Sequence, residues 1–317
     1  MQNTAQALTA PDRPTSCTTP LGLPRLQGLP PQSYFLVSAV FHYLGPALAV
    51  LLFARLDELG VAWLRIATAT ALFAMWRRPW RPLARMDRRG RMLVVQLGVV
   101  LAAMNVVFYL AVARLPLATV ASVEFLGVVL LATVGVRTPR NAAALALTVC
   151  GVAALTDLRL AGQPLGFAFA FGNCALFVLY VVLGHQVANT DAGTGAMSGI
   201  DQLGAAMLVG AMVVTPVGLG GALAAFAHPG LLLAGVGVGL CSSVIPYVTD
   251  QLAMARLPRA TFSLMLALLP MVGTIIGAIV LRQLPTGQDL LGIALVVAGV
   301  ALHQIPADEG LDRPATA

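Results

Sequence analysis

The sequence predicts an all-α integral membrane protein: ten transmembrane helices forming two inverted five-helix repeats, both termini cytoplasmic. Three observations predict it. The 317-residue chain is 58% apolar and only 10% charged, with a mean hydropathy of +0.86, whereas a soluble domain carries about a quarter charged residues. Its apolar residues gather in runs close to 20 residues long, enough to cross the hydrocarbon core as helices that satisfy their own backbone hydrogen bonds. A decapeptide also occurs twice, as LAVARLPLAT at 110–119 and LAMARLPRAT at 252–261, with eight of ten positions identical and an apolar run after each copy.

Residues 1–32 read as a disordered cytoplasmic tail, with five prolines in the first 30 positions and no apolar core of the kind a signal sequence needs. The first repeat, 33–158, holds predicted spans at 33–54, 60–76, 92–113, 117–136 and 141–157. The second, 163–305, holds spans at 164–186, 199–219, 230–252, 259–281 and 288–305. Residues 306–317 form a second polar tail.

Arginine fixes the orientation. All 19 basic residues are arginine, and seven of them crowd the stretch RRPWRPLARMDRRGR (77–91) between spans two and three. With both termini inside, 14 arginines face the cytoplasm, four face outward and Arg65 lies within a span, as the positive-inside rule requires. The basic balance thus belongs to membrane topology, and no nucleic-acid partner is implied.

The repeat is longer than ten residues. ALTVCGVA (146–153) in span five matches ALVVAGVA (294–301) in span ten at six of eight positions, at an offset of 148 against 142 for the decapeptide. Two ordered matches at nearly one offset imply a duplicated unit of five spans. Because five is odd, the copy enters the membrane from the other side. The ARLP turn therefore lies outside in the first half and inside in the second, and inverted repeats of this kind build a site near the midplane.

Charged groups inside spans are costly and are functional candidates by default. Glu124 stands alone in ATVASVEFLGVVLLATV in span four; its candidate role is protonation linked to substrate or to side of access, against a packing role through hydrogen bonds to a neighbouring helix. At the 142-residue offset Asn105 aligns with Tyr247, Phe108 with Asp250 and Tyr109 with Gln251. Polar groups at i, i+3 or i+4 share one helix face, so the third helix of each repeat carries a polar stripe, although Asp250 sits close enough to the span end to reach water. Arg65 is a candidate for pairing with a carboxylate or attracting an anionic group, or for reaching the headgroups. His42, one turn after Ser38, is read as titratable or as a hydrogen-bonded core histidine. Asp201 and Gln202 are read as solvated, and Gly45-Pro46 and Ile245-Pro246 as loosening their helices and freeing carbonyls.

No catalytic constellation, metal-ligand spacing, phosphate-binding loop or cofactor motif is present in the sequence, so no enzyme activity, metal or cofactor is predicted. Any transport is then driven by a gradient. The four cysteines, Cys17, Cys150, Cys174 and Cys241, have no such spacing and receive no role.

Residues 33–305 resemble the EamA-type drug/metabolite transporter superfamily. Within it, AAMNVVFYLAVARLPLATVASVEFLG (102–127) is similar to the bacterial threonine/homoserine exporters at Met104, Asn105, Phe108, Tyr109, Pro116, Glu124, Phe125 and Gly127. IPYVTDQLAMARLPRATFSLM (245–265) resembles them at Pro246, Tyr247, Arg256, Leu257, Pro258, Thr261 and Phe262, with Asp250 where the family has an acid, and WLRIA (63–67) and Tyr180 with Gly184 fit as well. The chain departs from that pattern at Val128, where a proline is expected, at Leu269-Pro270 in place of Glu-Pro, and at Arg282-Gln283 in place of Gly-Glu. The resemblance implies an inner-membrane exporter of small amino acids or related metabolites, coupled to protons, with a homodimer left open. Its rivals are a multidrug or other metabolite exporter of the same superfamily, which a broad aromatic and Met-rich cavity would mark, and a non-transporting membrane scaffold.

Overall fold

The computed structural model describes residues 30–135, 138–156, 163–191, 199–254, 265 and 268–302, and among them every regular element is a helix. Proline opens many of them, since its missing N–H costs nothing in a first turn. Pro31 begins α1 (Pro31–Leu52), Pro139 begins α6 (Pro139–Thr156), Pro164 begins α7 (Pro164–Asp191) and Pro229 begins α9 (Pro229–Gly239). Asp57 caps α2 (Glu58–Arg77) by accepting from the Leu59 and Gly60 amides at 3.1 and 3.4 Å. Asp87 caps α4 (Arg88–Val112) by accepting from Gly90 at 2.8 Å. Between them lies a six-residue helix, α3 (Trp80–Arg85), inside the arginine-rich stretch. The first half continues with α5 (Leu117–Gly135), and the second with α8 (Gly199–Ala227), α10 (Ile245–Met254), α11 (Leu269–Leu281) and α12 (Gly287–Leu302). A reciprocal Thr286/Asp289 box starts α12.

Six helices are long and apolar enough to cross a bilayer, and four shorter apolar ones complete a set that falls on the ten predicted runs. Two departures and one agreement are instructive. Span seven was expected to end at 219, yet α8 continues to Ala227, with Gly218 and Gly221 lying against the backbone of Leu59 and the Asp57 side chain, where a Cβ would not fit. Span one was expected to loosen at Gly45-Pro46, but α1 runs through unbroken; Gly45 instead lets α1 press against Ser242. Span eight does break, at a single π-helical turn, Leu240–Val244, between α9 and α10. Both tails and most of the second decapeptide, with its Arg256, Leu257 and Pro258, lie outside the described residues.

The helices pair in a regular way. α2 packs on α8, α6 on α12, α4 on α7 and α8, α5 on α7, and α1 on α9, α10 and α11, while α2 also meets α9. Exchanging first-half spans for second-half ones maps these pairs onto themselves: α4·α7 corresponds to α1·α9–α10, α5·α7 to α1·α11, and α4·α8 to α2·α9. The antiparallel α2·α8 pair is tied along its whole length. Gly60 meets Gly221 at one end, Trp63 Nε1 donates to Thr215 Oγ1 at 2.9 Å, and Thr70 Oγ1 donates to the Met207 carbonyl at 2.8 Å. At the other end Arg77 forks onto Asp201, with Nε and Nη2 each 2.8 Å from a carboxylate oxygen. The expected solvated Asp201 is thus ion-paired.

Candidate functional site

Proline 246 creates the first element of the site. It has no N–H, so the carbonyl of Ser242, four residues earlier, loses its helical donor. Arg65, reaching across from α2, fills the vacancy: Nη2 donates to the Ser242 carbonyl and Nε to Ser243 Oγ, both at 3.0 Å. The freed carbonyl expected at Ile245-Pro246 is therefore found, and a cation holds it. Arg65 is only 7% exposed, which removes the alternative that it reaches the headgroups. Its guanidinium lies 5.5 Å above the Tyr109 ring, within cation–π range. Nη1 makes no hydrogen bond to a described residue.

The polar stripe predicted on the third span faces this arginine. Asn105 and Tyr109, one turn apart on α4, are both buried. Asn105 spends its Nδ2 on the Leu101 carbonyl at 2.7 Å, leaving Oδ1 without a partner. Tyr109 stacks edge-on to Phe53 at 5.9 Å, and its hydroxyl is likewise unpartnered.

Glu124 sits midway along α5, half-buried, within electrostatic range of Arg65 but in no ion pair with it. Beside it, on α7, the Asn173 amide approaches the carboxylate without closing a well-formed hydrogen bond. His42 on α1 is half-buried, edge-on to Tyr43 at 5.4 Å and also within range of Arg65. Tyr247 and Asp250 on α10 are half-buried neighbours of Tyr180, and Tyr247 senses Arg65 and Glu124 as well. Asp250 faces Ser38, whose hydroxyl donates to the Pro246 carbonyl at 3.3 Å. Six of the seven singled-out side chains, Arg65, His42, Tyr109, Glu124, Tyr247 and Asp250, are thus linked in one neighbourhood, and Asn105 lies one turn before Tyr109 on α4.

Asn173 and the two serines of the π turn were missed in the sequence. Asn173 carries no charge and is one amide in FAFAFGNCALF, so only a search for every polar group deep in a span would have raised it. Among the described residues, five buried polar atoms lack a hydrogen-bond partner: Asn105 Oδ1, Tyr109 Oη, both amide atoms of Asn173, and Ser242 Oγ. Four of these five belong to residues on α4 or α7, packed together. Native proteins pair nearly all such groups, so this concentration makes the α4–α7 face a candidate place for a ligand. No cluster of metal-ligating residues occurs among the described residues.

Residues 164–303 match the EamA-like transporter family. The threonine/homoserine exporters RhtA of Salmonella typhimurium (strain SL1344) and Escherichia coli (strain K12) are each 29% identical to the chain over 260 residues, covering 80% of it and 84% of their own length. A solved crystal structure of a protein 21% identical has the same fold, with a TM-score of 0.54 over 86% of this chain and 96% of that one.

Proposed function

We propose that this chain is a multi-pass inner-membrane member of the drug/metabolite transporter superfamily, to whose family model and exporters it is similar, and that it exports small amino acids of the threonine/homoserine kind by alternating access, coupled to protons. One observation carries the reading: Arg65 with an uncommitted Nη1 and Glu124 with an unpaired carboxylate lie near each other without forming an ion pair. Opposite charges held apart in a low-dielectric region suit a zwitterion that completes both pairs. In this reading Arg65 takes the substrate carboxylate through bidentate-capable donors, and Glu124 takes its ammonium group or, in the empty state, a proton. Asn105, Tyr109 and Tyr247 hydrogen-bond the bound molecule, while Asp250 and His42 flank it.

The names of the RhtA relatives support the substrate class. The reciprocal helix pairing supports two inverted repeats that rock about the site with both termini cytoplasmic, the arrangement by which such repeats open a midplane site to either side. The test is counterflow in proteoliposomes: labelled threonine outside, a panel of unlabelled amino acids inside, with and without a pH gradient. Uptake stimulated by internal threonine or homoserine is expected, and Glu124→Gln should remove its response to the gradient. Gradient-driven flux unchanged in that variant would end the coupling role of Glu124.

A further inference from the structure

The end of α2 is built differently from the rest of the arginine-rich stretch. Arg77, its last residue, is committed: it forks onto Asp201 at 2.8 Å and lies 5.8 Å from the Trp76 ring. Arg78 and Arg81 follow, both exposed, and neither guanidinium has a hydrogen bond or an ion pair among the described residues. Together with Ala74, Met75 and Trp80 they line one open recess. Arg78 also holds the left-handed conformation that closes α2, with φ 50° and its amide on the Ala74 carbonyl at 3.3 Å. Glycine or asparagine takes that position at least cost, so an arginine there is kept for its side chain rather than for the turn. The frame of the recess is fixed. Pro79 is buried, its Cβ 3.4 Å from where a Cβ on Gly204 of α8 would lie, and the Arg77 fork ties the same end of α2 to α8.

The two sides of the recess have opposite chemistry. Met75 and Trp80 are 73% and 47% exposed, a broad apolar shelf at the end of a span, where tryptophan sits at headgroup level. The two guanidiniums beside it carry unneutralised charge and present planar donor forks that suit phosphate oxygens. A soluble anion has no use for the shelf, and an acyl chain none for the guanidiniums. An anionic phospholipid uses both: its phosphodiester meets the arginines while the upper part of its chains lies on Met75 and Trp80. A zwitterionic lipid brings a cation of its own to a doubly positive place and is disfavoured. We infer that this recess is a binding site for one anionic phospholipid. Arg88, Arg89 and Arg91 are exposed as well but lie outside the recess, so they respond to a charged membrane surface only as any basic stretch does. The inference does not depend on which molecule the protein carries.

Full-length protein, purified in detergent and stripped of lipid, is titrated with phosphatidylglycerol and with phosphatidylcholine of matched chains, and bound lipid is counted by native mass spectrometry. One phosphatidylglycerol is expected to bind roughly tenfold more tightly than phosphatidylcholine or better. An arginine at a lipid surface is worth about fivefold in affinity, so Arg78→Gln or Arg81→Gln should each cost about that and the two together about thirtyfold. Arg88→Gln with Arg89→Gln, equal in charge removed, should cost less than about twofold because neither residue lines the recess. Glycerophosphoglycerol, the same headgroup without chains, should not displace the lipid. Equal binding of the two lipids, or equal losses in the two double variants, overturns the inference and leaves a general basic surface. Displacement by the chainless headgroup overturns it too and leaves a site for soluble phosphates. Should R78Q/R81Q not give a monodisperse protein, the wild-type lipid preference and the chainless competitor decide.

Discussion

Substituting Arg65 tests whether the broken eighth span and the buried cation are one device. Arg65→Met keeps length and removes charge and donors. The loss leaves the Ser242 carbonyl, deprived of its helical donor by Pro246, without the Nη2 bond of 3.0 Å, a cost of about 1–3 kcal/mol for a buried unsatisfied group. The contact over Tyr109 at 5.5 Å goes too, worth about 0.5–2 kcal/mol. Against this, a charge within a span costs about 2.5–3.5 kcal/mol on insertion scales, and the variant no longer bears it. Terms of similar size and opposite sign leave the single variant within about 2 kcal/mol of wild type, so its stability alone decides little. Coupling to Pro246 decides. Pro246→Ala restores an N–H that can return to the Ser242 carbonyl, so Arg65→Met in that background should be less damaging, or more stabilising, by about 1–2 kcal/mol. The assay is a double-mutant cycle by equilibrium unfolding in detergent, followed by tryptophan fluorescence. Additivity within about 0.5 kcal/mol would refute the proposition that Arg65 serves the carbonyl that proline frees.

Other expectations follow from the same geometry. Asp201→Asn removes a forked pair in which the two side chains are 23% and 15% exposed, and should cost about 1–2 kcal/mol in detergent unfolding, more than a surface pair but less than a fully buried one. Gly60→Ala drives a Cβ into the Gly221 backbone and should abolish a monodisperse gel-filtration peak, whereas Gly220→Ala meets no atom within 4 Å and should raise stability by about 0.5–1 kcal/mol. Gln283 Oε1 accepts from the first amide of α5, Leu117, at 3.1 Å, so Gln283→Leu should lower the melting point by the value of a lost cap, about 1 kcal/mol. Gln283→Glu keeps the acceptor and should gain about 0.3–1 kcal/mol from a negative charge at a helix N-terminus.

The helices were legible because length and hydropathy decide them almost alone. What the sequence hid depends on neighbours. The run GLGGALAA crosses the predicted end of span seven, and only Leu59 and Asp57 standing opposite it show why its glycines belong inside the helix. The Gly45-Pro46 pair looks like Ile245-Pro246 on paper, yet one stretch stays α-helical throughout while the other follows a π turn, where an arginine of another helix takes the freed carbonyl. Charged candidates were found because lipid makes every charge conspicuous. Asn173 escaped because a buried amide costs less than a charge and attracts less notice, although both ends of it lack a well-formed hydrogen bond. The 142-residue offset found the stripe of α4 and α10, but α7, whose counterpart is α1, has no motif in common with it to align.

The four ties between α2 and α8 have a mechanical meaning. A helix pair joined by backbone contact at one end, a fork of charge at the other and two hydrogen bonds between them acts as one beam that resists sliding, and any rocking of the two halves must turn about it. Its neighbour is the pair α9–α10, joined through the π turn and held there by a side chain growing from the beam itself. The arginine is thus a pin between a stiff member and an articulated one, and a molecule that takes hold of its free end pulls on the joint. Cysteines that lock α2 to α8 should leave flux intact, while a lock between α2 and α10 should stop it.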